Sequence, residues 1–211
     1  LGTASASGDM TLSAGGNLDA TTLPSTGGNV NANSSGGNIV LGTTNAAQGA
    51  TFNATTGSVN ATSTTAGTTL TTTSGQGTTL GTATAGGNMT LSAGGSLDAT
   101  TLTSTAGNVN ASSSGGNVSL GTTNAALGAT FNATTGNVNA ASTTAGTTLT
   151  ITSGQGTTLG TATAGGDMTL SAGGSLDATT LTSTGGSIQA NAAAGNISVS
   201  TLTAGVNGVV D

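Results

Sequence analysis

Residues 86–120 read GGNMTLSAGGSLDATTLTSTAGNVNASSSGGNVSL. Within this stretch Met89-Thr90-Leu91, Leu97-Asp98-Ala99, Val109-Asn110-Ala111 and Val118-Ser119-Leu120 each hold a polar residue between two apolar ones. That period of two belongs to a strand with one buried face. A helix needs apolar residues at i+3 and i+4 as well, and they are missing. Glycines precede the triplets, as Gly86-Gly87, Gly94-Gly95, Gly107 and Gly115-Gly116. We read them as corners, where Gly supplies positive φ.

Outward from this stretch the pattern repeats along the whole chain. Met10, Met89 and Met168 follow one another at a constant step of 79, and Phe52 and Phe131 share that step. Residues 1–79 and 80–158 align without gaps and agree at 66 of 79 positions. Residues 159–211 begin a third copy that diverges in its second half but keeps register. The sequence therefore predicts one continuous unit over 1–211, with copies at 1–79, 80–158 and a partial one at 159–211.

Each copy has a finer period. Every second apolar centre, from Met89 through Val109, Phe131 and Leu149 to Met168, follows the last by steps of 20, 22, 18 and 19. Short strands at this spacing also suit an antiparallel sandwich. Coils of about 20 residues in near-identical long copies favour stacking of each turn on the next, with backbones bonded about 4.8 Å apart. The expectation is an all-β, single-stranded, right-handed parallel β-helix of ten to eleven coils, roughly 50 Å long. Its terminal segment Val206–Asp211 departs from the repeat and is read as the beginning of a cap.

Composition fits a thin, stacked interior. Leu, Ile, Val and Phe make up about one residue in six, too few for an ordinary core. Charged residues are 3%, too few for typical charge-driven disorder. Lys, Arg, His, Cys, Trp and Tyr do not occur. Without cations the chain cannot neutralise phosphates, which argues against nucleic acid as a partner. An anionic membrane surface gains nothing from it either. No apolar run reaches the ~18 residues of a membrane-spanning helix. No signal peptide is seen, and the opening at Leu1, inside a repeat, reads as a piece of something longer.

The string over 87–120, with its recurring Gly-Asn-apolar-x-apolar pattern, resembles the repeats of filamentous haemagglutinin-like adhesins, exoproteins of the two-partner secretion pathway. The resemblance covers essentially the whole chain. It implies a β-helical shaft, secreted or on the surface of a Gram-negative bacterium, that uses an outer-membrane secretion partner. The family's amino-terminal secretion domain, with its Asn-Pro motifs, is not in this chain; its one proline is Pro24. Passengers of self-associating autotransporters share the composition.

Candidate chemistry is sparse. The carboxylates are Asp9, Asp19, Asp98, Asp167, Asp177 and Asp211. Asp19, Asp98 and Asp177 recur once per copy, about 19 Å apart along a stacked axis, too far for one cation site. All six are expected as exposed, solvating groups, with no metal and no cofactor. Ser and Thr abound, but no His or Lys is present to activate a nucleophile, so no catalytic residue and no enzyme is expected. Sequons occur at Asn33, Asn53, Asn60, Asn88, Asn110, Asn117, Asn132 and Asn196. We expect these Asn to serve corners and ladders more than glycans.

Threonine rows on a β-solenoid can bind ice when they recur on one side of every coil. Here Thr-Thr-Leu ends at Leu23, Leu70, Leu80, Leu102, Leu149, Leu159 and Leu181. The gaps of 47, 10 and 22 repeat per copy and not per coil, which counts against an ice face. The functional expectation is a passive stalk in an adhesin or filament. Its rivals are a self-assembling sheath, with copies joined end to end or side by side, and an ice-binding solenoid.

Overall fold

A computed structural model describes residues 1–210, with side chains through Val209. The described chain is all-β, and every strand pair is parallel. Eleven short strands form one sheet and ten long strands form the other, alternating along the sequence. Each strand therefore pairs with the second strand before it and the second after it. The chain climbs one rung per turn, about twenty residues at a time.

The rungs stack in strict register. Along the short strands Leu70, Met89, Val109, Ala129, Leu149 and Met168 sit one above another. Their successive steps are 19, 20, 20, 20 and 19, so the expected 22 and 18 are corrected. Phe131 lies not over Val109 but over Ala111 and under Ile151. A strand buries alternate side chains, so bulk can sit at either of two inward positions. Ala129 and Ala133 flank Phe131 on the same strand, and small neighbours make room for the ring. The apolar centre read from the sequence had moved by two positions while the backbone had not.

Long strands carry a further turn. In Leu97–Ser104 the inward residues are Leu97, Ala99, Leu102 and Ser104. Thr100 and Thr101, consecutive, both face outward. The residue-by-residue pairing likewise passes from Ala99↔Leu120 to Thr101↔Thr122. The strand thus changes phase at its fourth position, and each coil offers three outward surfaces: the short strand and the two halves of the long one.

Glycine acts here by its size and not by its dihedral freedom. No described residue, glycine included, has positive φ, which corrects the expected corner conformation. At Gly86 an added Cβ would collide with the carbonyl oxygen of Gly67 in the coil beneath, and at Gly67 with that of Ala47. At these two positions the coils stack too closely for a side chain, while neighbouring corner positions keep room for Asn and Thr. Their backbones continue the ladder: Thr55 N–H donates to Ser34 O at 2.9 Å and Gly75 N–H to Ala54 O at 2.9 Å. Backbone amides are thereby satisfied through the turns as well as the strands.

The final segment also follows the repeat. Gly208–Val210 pairs with Ile188, Gln189 and Ala190, and Ile188 N–H donates to Asn207 O at 2.8 Å. Residues 206–210 therefore continue the coil and do not begin a cap; Asp211 lies outside the described residues.

Candidate functional surfaces

Corner side chains stitch successive coils together. Asn29 donates its backbone N–H and its Nδ2 to Asp9 Oδ1, at 2.8 and 3.0 Å. One coil on, Gly49 N–H donates to Asn29 Oδ1 at 2.9 Å. The second copy repeats the chain through Asn88, Asn108 and Gly128. At the other corner Asn38, Asn117 and Asn137 do the same for the amides of Ser58, Asn137 and Gly156. A side-chain oxygen one rung below the corner N–H is the recurring device, an amide or carboxylate here and a hydroxyl at Ser96 and Ser175.

This corrects the expectation for two carboxylates. Asp9 and Asp167 stand in the column occupied by Asn88 in the second copy, and Asp167 accepts from Ser187 N–H at 2.8 Å. They belong to the coil-to-coil bonding and are not merely solvating. The bonds from Asn29, backbone first and then side chain, hold the Asp9 carboxyl below the ordinary carboxylate value. Asp19, Asp98 and Asp177 are exposed at the second position of their long strands. Among the described residues no three acidic groups come together. Asp211 lies outside the description.

The corner part of the expectation for the sequon asparagines holds for three of them, while the other five enter no side-chain hydrogen bond from coil to coil. Asn88, Asn117 and Asn196 are at corners; Asn33, Asn53, Asn60, Asn110 and Asn132 point outward from strands.

A groove of about 550 Å³ runs along the axis on the long-strand side. The second-position side chains Asp98, Ser119 and Asn139 border it, with Thr100, Gly121 and Gly160 of the fourth position opposite. A similar depression between Asp19, Asn60, Gly42 and Thr62 continues the line in the first copy. From Thr21 to Thr179 the fourth positions alternate between a side chain and Gly, as Thr62, Gly81, Thr100 and Gly121; Ser200 ends the alternation. A Cβ on Gly81 or Gly121 would strike the carbonyl oxygen of Thr62 or Thr100 below. The alternation follows from packing.

The second half of the long strands presents an array the sequence reading missed. Its fifth position is a hydroxyl in every coil from Thr22 to Thr201, Thr except at Ser63 and Ser142. Its seventh position is Thr in seven of ten coils, with Pro24, Asn45 and Asn124 the exceptions. The Thr-Thr-Leu count had mixed three registers. Leu102 is a sixth position, Leu159 a third, and Leu149 opens a short strand. The signal that would have found the array is Thr-x-Thr or Thr-x-Asn, whose inward middle residue varies among Leu, Thr and Ala.

The fold thus defines the class: a parallel β-solenoid of about ten turns. No protein-family model matches the chain, and comparison with curated proteins and with solved structures finds no match.

Proposed function

We propose that this chain is a rigid, non-catalytic spacer, the shaft of a secreted or cell-surface adhesin of the filamentous haemagglutinin-like kind. The observation that supports it is the unbroken register of ten stacked long strands, reinforced at the corners by side-chain bonds from coil to coil. Such a rod transmits position without moving. Each coil contacts only its neighbours, so length is set by copy number and adding copies extends the reach. The resemblance of the repeats at 87–120 carries the narrower part of the reading, including export through an outer-membrane partner in a Gram-negative bacterium.

Small-angle scattering with electron microscopy tests it. The shaft reading expects monomeric rods about 50 Å long for this chain. Long fibres at micromolar concentration would replace it with the sheath reading, and a compact or expanded particle would overturn both.

A further inference from the structure

The described surface carries one array that the shaft reading leaves unused. Fifth- and seventh-position side chains of the long strands form two parallel columns over ten rungs. Rungs recur at about 4.8 Å, and the columns stand about 6.6 Å apart, two residues along a strand. Thr82-Ala83-Thr84, Thr101-Leu102-Thr103, Thr161-Ala162-Thr163 and Thr180-Leu181-Thr182 show the motif in its full form.

Two further observations single this surface out. Its side chains take no part in any hydrogen bond within the described chain, whereas corner hydroxyls such as Ser25, Ser104 and Ser183 are engaged with backbone at 2.6–2.7 Å. It is also uncharged: Asp9 and Asp167 are at corners, and Asp19, Asp98 and Asp177 stand at the second position of their long strands, off this face. The short-strand surface is less uniform: seven amides (Asn31, Asn33, Asn53, Asn110, Asn132, Gln189 and Asn191) interrupt its hydroxyls, against Pro24, Asn45 and Asn124 on the long-strand face.

We propose that this two-column threonine face binds ice. Each Thr offers a hydroxyl able to enter a tetrahedral water network and a methyl beside it that orders the waters between columns. A fixed charge would orient water against such a lattice, and none is present. Any one rung contributes little, but rungs held in register act together, so that contact over roughly 43 Å adds as linked sites do. The proposal does not rest on the adhesin reading, because a shaft and an isolated rod would present the same face.

The test is thermal hysteresis and partition into a growing ice front, measured on the whole chain. We expect hysteresis, shaped crystals and enrichment in the ice fraction. Thr101→Tyr with Thr122→Tyr should reduce hysteresis by about half or more, because rings lift neighbouring rungs off a flat ligand and forfeit close contact. Thr90→Tyr with Thr130→Tyr, on the short-strand surface, should leave it unchanged. Circular dichroism checks that each variant keeps its sheet signal; Thr101→Val with Thr122→Val makes the same comparison without added bulk if the tyrosines disturb folding. Folded chain excluded from ice, or equal losses from the two surfaces, would overturn the proposal. Loss of the rod itself would show separately by scattering.

Discussion

Thr72 and Ile151 occupy the same place in successive copies, between Phe and Leu in the stack. Thr72 Oγ1 is buried without a hydrogen-bond partner, and Ile151 is wholly buried. A buried hydroxyl with no partner costs about 1–3 kcal/mol. Thr72→Ile should therefore raise stability by about 1–2 kcal/mol, and urea midpoints at unchanged slope would check it. The same inside–outside logic separates two neighbours. Val118 is fully buried, so Val118→Asp should cost about 4 kcal/mol or more. Ser119 points outward beside Asp98 of the adjoining rung, so Ser119→Asp should cost only the ~0.2–1 kcal/mol scale of a cross-strand like-charge pair. Equal melting temperatures for the two variants would refute the facing.

At the scale of a corner, close stacking decides which glycines are replaceable. Gly86→Ala brings a methyl against the Gly67 carbonyl, and overpacking of this kind costs about 1–3 kcal/mol. Gly15→Ala meets nothing within 4 Å and should be neutral. Were both substitutions tolerated alike, the corners would have to be more open than the structure has them. Corner asparagines work at the same scale: an oxygen on one coil receives the amide of the next, as Asn137 receives Gly156. Removing one such acceptor, by Asn137→Ala, exposes two coils to local opening and should raise amide exchange at Gly156 before any global loss.

Across the whole molecule, electrostatics is nearly silent, because Lys, Arg and His do not occur. Only carboxylates and the termini titrate. The Asp9 carboxyl sits below its ordinary value because Asn29 donates to its charged form. A lowered carboxylate contributes stability that is complete above the unfolded value, about 3.9, and lost as pH falls through the folded one. Thermal midpoints should therefore stay level from neutral pH to about 5 and decline below about 4. Stability should also depend on coil number, since each coil rests on its neighbours. A protein ending after residue 158 should melt at a lower temperature than the whole chain and unfold in the same cooperative manner.

Alternation at Met89-Thr90-Leu91 and its counterparts, the long near-identical copies and the coil of about twenty residues were legible from one chain of letters. They are local or periodic properties, and backbone pairing between turns of nearly equal length leaves few other arrangements. Register within a coil was not legible, because Ala129 and Phe131 can exchange bulk without moving a strand. Nor was the threonine face: the phase change after Ala99 turns Thr101 and Thr103 outward, and nothing in the alternation before it announces the reversal. The role of glycine was misread for the same reason. Whether Gly serves a dihedral or a contact depends on what lies beneath it, and a carbonyl a full turn earlier in the chain becomes a neighbour only once the coils are stacked.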